Sequence, residues 1–350
     1  MSEYRYEYEL GKAAKILVEE LFKIKPGETF VITADTESNK RVVDATARAT
    51  FAAGGKPMVI WTASPLGVGK AADAMLPVES LGGALAGADA WIEYNNQWLL
   101  YSTPFDKAMA NNPKLRYQNA CGMNEDMMVR LIGRVDFPTL EEFMKHLLDM
   151  TVNAKHVRVT TPAGCDVTFN NVAGRFMSLS VGYADTPGAH MQPGQIGWSP
   201  DLDSINGVIV FDGSIVPPFT TVLKEPVVLH IKNGTIVKVE GGNEASAYEQ
   251  WLKSFNHPQM LKLAHISYGV HPNARLTGDI VEDERVWGAT EWGLGNIGPF
   301  LIPPKGISGP SHSDGICLNS SVWLDGVQIL KNGQFCEQRL RELAKRLGKE

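Results

Sequence analysis

The chain has little cysteine, and its few thiols lie far apart. The 350 residues include four cysteines: Cys121, Cys165, Cys317 and Cys336. None of them forms a CxxC pair, so the sequence indicates neither a dithiol redox motif nor a cysteine-based zinc site. Widely spaced thiols are typical of reduced structural cysteines in a cytoplasmic protein, and we therefore expect a cytoplasmic location.

The chain also lacks an excess of positive charge and any long apolar segment. Its formal net charge is −6 and its isoelectric point is near 5.8, which gives no basic surface for nucleic acid or an anionic membrane. No apolar run approaches the roughly 18 residues that a membrane-spanning helix requires, and the first residues do not resemble a signal peptide. The sequence therefore predicts a globular protein that binds neither nucleic acid nor membranes.

Strand and helix patterns alternate through the first 150 residues. Short β-branched and aromatic runs at Glu28–Thr33, Pro57–Thr62 and Ala88–Tyr94 predict strands. A helical spacing of apolar residues covers Asn39–Ala53, and a further helix is predicted over Thr139–Met150. Alternation of this kind is typical of βαβ units and a mostly parallel sheet, so residues 1–151 are predicted to form an α/β domain.

From Ala154 the pattern changes to closely spaced strands. Asn233-Gly234 lies between two of them and indicates a hairpin turn. Asn243 occupies the position of an N-cap before a helical segment, and Cys336–Leu347 has the pattern of an amphipathic helix. The fold class predicted for the chain is α/β, with residues 152–350 forming a C-terminal, β-rich α+β domain.

A histidine and a carboxylate two residues apart, His312 and Asp314, lie in a glycine-, proline- and serine-rich segment, Lys305–Gly315, that is predicted to be a loop. On an extended backbone two such side chains project to the same side and can reach one metal ion. Such a pair can supply two of the three ligands in the two-histidine, one-carboxylate site of non-haem iron enzymes, and the third ligand would come from elsewhere in the chain. An ordinary turn histidine beside a loop aspartate is the alternative interpretation.

Three other segments place histidine or carboxylate among glycines: Gly188–Trp198, Ala264–Asn273 and Gly288–Gly295. Taken alone, His265 could be a core histidine with satisfied hydrogen bonds, Glu291 an ion-pair partner and His190 a loop residue. Irregular, glycine-rich backbone is costly and persists mainly where function requires it. Together the segments therefore indicate a functional region in the second domain.

The order of these segments resembles the C-terminal domain of the thermophilic-type aminopeptidases, a family of dinuclear metallopeptidases. The matching segments are Gln192–Gln195, Ala264–Asn273, Gly288–Gly295 and His312–Asp314. Two further segments, Asp283–Gly288 and Trp323–Val327, also fit the pattern. The chain departs from that pattern at three ligand positions. Gln195 and His265 each stand in place of a glutamate, and Glu291 stands in place of a histidine. The changes at Gln195 and His265 remove carboxylates that would neutralise and bridge two divalent ions.

In its departures the chain is similar to a divergent branch of that family, the 2,5-dihydroxypyridine 5,6-dioxygenases of nicotinate and nicotine degradation. The resemblance implies a single Fe(II) per chain, held by His265, His312 and Asp314. It also implies an extradiol-like ring cleavage, in which 2,5-dihydroxypyridine and O2 give N-formylmaleamate. Zinc could not replace the iron, because zinc has no redox chemistry with which to activate O2.

Further site residues are predicted on weaker grounds. His190 is the candidate general base, because an imidazole exchanges protons near neutral pH. Glu291 is predicted to orient a ligand or to accept a hydrogen bond from the ring N–H. Candidate substrate contacts are Gln195 and the aromatic residues Trp98, Tyr101 and Trp198, for which a place in the core is the alternative. We also expect a homo-oligomer built from dimers, with a hexamer as one such form.

Two other functional classes remain open at this point. An aminopeptidase with altered ligands would require two metals per chain. A non-catalytic binding or assembly protein with a vestigial site would hold no iron after anaerobic reconstitution.

Overall fold

The computed structural model describes residues 6–349. Contacts between α-carbons divide the chain into two compact units. Unit 1 comprises the chain up to Val135 together with Ser180–Pro193, and unit 2 comprises Asp136–Leu179 and the chain from Gly194 onwards. The sequence predicts one passage between domains at residues 151/152. In the structure the chain instead passes from unit 1 to unit 2 after Val135. It returns to unit 1 at Ser180 and passes back to unit 2 after Pro193.

The described residues form nine α-helices and nineteen strands. The helices are α1 Glu7–Lys15, α2 Lys40–Ala52, α3 Val78–Ala86, α4 Thr103–Asn111, α5 Glu125–Met128, α6 Phe137–Asn153, α7 Asn243–Ser254, α8 Ile280–Asp283 and α9 Gln338–Arg346. The strands are β1 Thr29–Asp35, β2 Lys56–Thr62, β3 Ala90–Glu93, β4 Arg116–Asn119, β5 His156–Thr160, β6 Asp166–Asn170, β7 Met177–Ser180, β8 Gly188–His190, β9 Gln195–Trp198, β10 Asn206–Phe211, β11 Ile215–Val216, β12 Val227–Lys232, β13 Thr235–Gly241, β14 Leu263–Gly269, β15 Thr290–Ile297, β16 Ile307–Cys317, β17 Ser321–Leu324, β18 Val327–Lys331 and β19 Gln334–Phe335. Within this part of the chain, no helix has both the length and the apolarity to cross a membrane.

Unit 1 contains a parallel sheet with the strand order β2-β1-β3-β4-β8. The Asn39 side chain accepts hydrogen bonds from two backbone N–H groups at the start of α2, which fixes where that helix begins. Tilted rings of Trp91 and Tyr117, with centroids 4.3 Å apart, pack in the core beside the sheet. The predicted parallel-sheet α/β architecture is confirmed for this part of the chain.

Glu93, the last residue of β3 in unit 1, has a buried side-chain carboxyl group. Glu93 has no exposed surface, and it accepts hydrogen bonds from the Tyr117 hydroxyl at 2.5 Å, the Cys121 thiol at 3.2 Å and the backbone N–H of Leu99. Burial raises the pKa of Glu93 from 4.5 to about 7, although these hydrogen bonds oppose the shift. The folded protein therefore keeps a proton here that an unfolded chain releases.

This raised pKa predicts a pH dependence of stability in wild-type protein that is missing in Glu93→Gln. The folded state holds the Glu93 proton up to about pH 7, whereas the unfolded chain loses it near 4.5. The free energy of unfolding should thus fall as pH rises through that window, by up to about 3 kcal/mol relative to the variant. Urea unfolding of both proteins at intervals between pH 4.5 and 7.5 measures the difference. Equal slopes in the two proteins would contradict it.

Unit 2 contains two sheets that are built largely from antiparallel strand pairs. The larger sheet has the order β13-β12-β10-β6-β5-β17-β18-β19, and the smaller has the order β11-β16-β15-β14-β9-β7. Asn233 and Gly234 join β12 to β13 with positive φ angles of 49° and 67°, as the predicted hairpin turn requires. Asn243 is the first residue of α7 and not its N-cap, which is Gly242. The predicted β-rich second part of the α/β fold is confirmed.

Candidate metal centre

The residues predicted to bind metal lie on two strands of the smaller sheet in unit 2 that are separated by β15. His265 is on β14, and His312 and Asp314 are both on β16. The predicted loop at Lys305–Gly315 is wrong over most of its length, because β16 covers Ile307–Cys317. Pairing with β15 supplies the hydrogen bonds that make this glycine- and proline-containing segment a strand. The extended backbone places His312 and Asp314 on one side, as the two-residue spacing predicts.

Strand register brings the three side chains to one face of the sheet. His265 lies directly opposite Gly293 of β15, and Gly293 lies directly opposite Asp314. Residues directly opposite one another point to the same face of a sheet. His312 is two residues before Asp314 and shares that face. The sheet therefore forms a polar face on which one histidine approaches a histidine–aspartate pair from two strands away.

The opposite face of the sheet is aromatic. Trp198, Ile266, Trp292 and Gly315 lie in register across the four strands β9, β14, β15 and β16. The two tryptophan side chains in this row are almost fully buried. Burial of these large rings holds the strands in register, and the register in turn positions the side chains of the polar face.

The three donor atoms lie close enough together to share one ion. His265 Nε2 is 3.1 Å from His312 Nε2, His312 Nε2 is 2.9 Å from Asp314 Oδ1, and His265 Nε2 is 3.4 Å from Asp314 Oδ1. Donors that bind one ion at right angles with bonds of about 2.1 Å are about 3 Å apart. The triangle of donors therefore fits three adjacent positions around an octahedral metal.

The outer hydrogen bond of His312 supports the same conclusion. Its Nδ1 is 2.8 Å from the carbonyl oxygen of Asn296, which can only accept, so Nδ1 carries the hydrogen. In the neutral ring Nε2 then presents a lone pair toward Asp314 and toward the Nε2 of His265. Lone pairs this close repel one another unless a proton or a cation lies between them. A histidine fixed by a backbone carbonyl in this way is the usual arrangement of a metal ligand.

Charges in the cluster also favour a cation. Burial opposes ionisation of Asp314, but His312 and His265 outweigh it and lower the pKa of this carboxyl to about 2. Burial lowers the pKa of His265 to about 4 despite the nearby aspartate. For His312, burial acts against the charged form, but the charge and hydrogen bond of Asp314 raise the pKa above its ordinary value. A metal would displace that His312 proton and leave two neutral imidazoles and one carboxylate.

Glu291 lies on the same polar face, behind His265. Its Oε1 is 3.5 Å from His265 Nδ1, and its Oε2 accepts a hydrogen bond of 2.6 Å from Ser267. Burial, followed by the charges of Asp314 and Glu284, raises the pKa of Glu291 well above its ordinary value. The carboxyl group of Glu291 therefore lies beside the imidazole of one candidate ligand, His265, and burial disfavours its charged form.

Gln195 extends this network away from the three donors. Its Nε2 donates to Ser267 Oγ at 3.2 Å and to Glu284 Oε2 at 2.7 Å, and Glu284 also pairs with Arg285. The amide therefore donates to both groups, whereas a carboxylate at this position would be repelled by the Glu284 carboxylate. The Gln195 side chain is engaged with the protein and neutral, so it does not supply the negative charge that bridges two metals.

The remaining predicted residues divide between the units. Trp198 is buried in unit 2, where its Nε1 donates to Asn171 at 2.9 Å. Unit 1 holds Trp98, which is partly buried against that unit's core, and Tyr101, whose side chain is 52% exposed. His190 ends β8 in unit 1, with Nε2 2.8 Å from the Thr186 carbonyl. That contact assigns the ring hydrogen to Nε2 and leaves Nδ1 as the acceptor.

Sequence reasoning missed two contributors to the site. Ser267 follows His265 by two residues in a strand, so the period of two that relates His312 to Asp314 could have identified it. Glu284 had no comparable signal, because it lies just after the short helix α8 and its hydrogen bond to the network is made with Gln195.

Two histidines and one carboxylate converging on a β-sheet define a candidate mononuclear metal protein. A model of the NicX family, described as 2,5-dihydroxypyridine 5,6-dioxygenase, matches residues 15–337. The chain belongs to this family, and the predicted resemblance is confirmed.

Individual relatives agree with the family match. A 2,5-dihydroxypyridine 5,6-dioxygenase from Pseudomonas putida strain KT2440 is 31% identical over 191 residues, which cover 51% of this chain and 54% of that protein. The chain thus matches about half the length of this curated relative.

Two solved structures share the fold. The structure of 2,5-dihydroxypyridine dioxygenase from Pseudomonas putida KT2440 has a TM-score of 0.78 at 20% identity and covers 95% of this chain and 98% of its own. Wild-type AmpT from Thermus thermophilus has a TM-score of 0.68 at 13% identity and covers 94% of this chain and 99% of its own. At these identities the similarity concerns the fold.

Proposed function

We propose that the chain is an Fe(II)-dependent dioxygenase that converts 2,5-dihydroxypyridine and O2 into N-formylmaleamate. The observation that carries the proposal is the triangle of His265, His312 and Asp314 donors, each within 3.4 Å of the others. Membership of a family described by this reaction supports the choice of substrate. The ring would open between C5 and C6, and both oxygen atoms of O2 would enter the product.

The donor set favours iron among the common metals. Two imidazoles and one carboxylate on one face of an octahedron leave the other positions open, which is the arrangement of non-haem Fe(II) oxygenases. When bound, the iron supplies the redox chemistry that activates O2, which zinc lacks. Asp314 provides the single negative charge of the set, while His265 and His312 remain neutral ligands.

Other residues of the chain act on the substrate or on the ligands. Glu291, which is buried behind His265, would keep that imidazole oriented or accept a hydrogen bond from the ring N–H through an oxygen of its carboxyl group. His190 would take the proton of the 5-hydroxyl through Nδ1, because Nε2 already faces Thr186. The Gln195 amide nitrogen is engaged, so a substrate contact by this residue would be made through Oε1.

The aromatic residues remain predicted contacts for a flat ring. Trp98 and Tyr101 keep some exposed surface in unit 1. Trp198 packs at 4.9 Å from the Tyr268 ring in the core of unit 2, so its contribution would be to support the sheet that carries the ligands.

Anaerobic reconstitution with Fe(II) tests the proposal directly. The loaded protein receives 2,5-dihydroxypyridine and then O2, and we expect loss of the ring's ultraviolet absorbance. With isotopically labelled O2, mass spectrometry should find both labelled atoms in N-formylmaleamate. The same protein loaded with Zn(II) is the control and should leave the substrate intact. Iron-loaded protein that fails to consume the substrate would refute the proposed reaction.

Metal stoichiometry separates this function from the aminopeptidase alternative. We expect one tightly bound ion per chain, because neutral Gln195 donates to Ser267 and Glu284 and cannot bridge two cations. Elemental analysis of dialysed, reconstituted protein measures the ratio. Two ions per chain, together with release of amino acids from peptides, would favour a peptidase. Protein that binds no iron would favour the non-catalytic alternative.

We also propose that the protein is a cytoplasmic homo-oligomer built from dimers, a hexamer being one such form. Large apolar side chains are exposed on the end strand β2, where Met58, Val59 and Trp61 are 42%, 38% and 43% exposed, and on the adjacent α2, where Phe51 is 76% exposed. Large apolar side chains that are exposed on an end strand and on the helix beside it favour association with a second copy. Light scattering during size-exclusion chromatography measures the mass, and a monomer at micromolar concentration would contradict this proposal.

A further inference from the structure

The central strand of the candidate metal centre carries no ligand, although it runs between the strands that do. Gly293 of β15 lies opposite His265 on one side and opposite Asp314 on the other. A side chain at position 293 would therefore project to the polar face, between the ligands. Glycine is the one residue that has no side chain to place between the ligands.

The His265 ring occupies the space that such a side chain would need. A β-carbon built on Gly293 would lie 2.2 Å from His265 Nε2, 2.5 Å from Cδ2 and 2.6 Å from Cε1. Non-bonded carbon atoms normally approach no closer than about 3.5 Å. The ring thus lies directly over the α-carbon of Gly293, and its donor atom is the one nearest to the missing β-carbon.

Backbone conformation does not explain the glycine. Gly293 is not among the residues with a positive φ, so its backbone would accept an ordinary residue. Gly295, two residues further along the same strand, differs in this respect. Its φ is +87°, and a β-carbon there would lie 2.4 Å from the backbone oxygen of Ser311. Gly295 is accounted for by backbone geometry, whereas Gly293 is accounted for by the imidazole above it.

We propose that Gly293 is a positioning residue of the metal centre, whose missing side chain lets the His265 ring lie flat across β15 with Nε2 directed at His312 and Asp314. This inference rests on the proposed metal site and adds a residue that neither binds the metal nor touches substrate. Any β-carbon at position 293 forces the ring to rotate, and rotation carries Nε2 away from the other two donors. The strand between the ligands thereby sets the direction of the ligand on its neighbour.

The substitution Gly293→Ala tests the inference through metal affinity. Titration with Fe(II) under anaerobic conditions, and with Co(II) as a spectroscopic probe, should show binding weakened by roughly 10–100-fold or more, because one of three ligands is misdirected. The visible absorption of bound Co(II) should change in shape as the histidine is lost. Gly83→Ala in α3 is the matched control, since a β-carbon there meets nothing within 4 Å. That variant should bind both metals like wild type.

A double variant identifies His265 as the group that is displaced. In the metal-free protein, Gly293→Ala should lower the melting temperature, and the same change in a His265→Ala background should lower it little, because the clashing ring is gone. If Gly293→Ala alone does not fold, recovery of the fold in the double variant supports the inference. An equal loss of stability in both backgrounds would refute it.

The two proposals fail in different ways. Wild-type metal affinity in Gly293→Ala would overturn the positioning role and leave the metal site intact. Absence of metal binding by the wild-type protein would overturn the metal site. In that case the melting temperatures of the single and double variants still determine whether the ring occupies the space over Gly293.

Discussion

Replacing His265, His312 or Asp314 with alanine should remove the bound metal and abolish ring cleavage. Each substitution deletes one of three protein donors that lie within 3.4 Å of one another, so the remaining pair holds the ion weakly. Loss of a residue that only hydrogen-bonds to a ligand lowers metal affinity by up to roughly 100-fold. Loss of a ligand itself should therefore lower the affinity by more than this. Elemental analysis and turnover of 2,5-dihydroxypyridine measure the two effects in the same samples.

Folding should survive these substitutions. The three side chains contribute to a polar face, while the aromatic residues of the opposite face hold the sheet together. Circular dichroism should therefore match wild type, and His156→Ala serves as the matched control, because that histidine is exposed on β5. If one of the three alanine variants keeps both near-full iron occupancy and turnover, that residue is not a ligand.

Replacing His190 should separate proton transfer from metal binding. In His190→Ala we expect iron to be retained while turnover falls by roughly 10²–10⁴-fold, the usual contribution of a positioned acid or base. The physical reason is that Nδ1 is the ring atom left to accept a proton, since Nε2 contacts the Thr186 carbonyl. Steady-state turnover and iron content are measured together.

The variant His190→Gln distinguishes this role from a structural one. Glutamine can still donate a hydrogen bond to the Thr186 carbonyl but cannot accept a proton at neutral pH. A catalytic base predicts that the glutamine and alanine variants are equally impaired. Recovery of turnover in the glutamine variant would assign His190 to holding the turn, and near-normal turnover in both variants would remove it from the reaction.

Local patterns were sufficient to predict much of the fold. The β-branched run at Glu28–Thr33 and the helical spacing over Asn39–Ala53 correspond to β1 and α2, because periodicity acts over a few residues. Asn233-Gly234 formed the expected hairpin for the same reason. The segment Lys305–Gly315 was predicted as a loop because glycine and proline disfavour strands locally, whereas pairing with β15 decides its conformation.

The candidate site was predictable where ligands follow a short spacing. His312 and Asp314 are two residues apart, and the resemblance to a metal-binding family added His265. The role of Gly293 could not be predicted from the sequence, because it depends on the position of the His265 ring in the folded protein. The compact units were also beyond local reasoning, since β8 joins the parallel sheet next to β4 across about 70 residues of chain.

The division of the smaller sheet into a polar and an aromatic face has a consequence for how such sites change over time. Successive residues of β14 and β15 serve alternately the chemistry and the packing, since Ser267 and Glu291 face one side while Ile266 and Trp292 face the other. A substitution that alters a ligand thus leaves the buried rings untouched. Evolution can exchange donors on this scaffold one at a time, and a lineage can acquire a new reaction without first rebuilding its core.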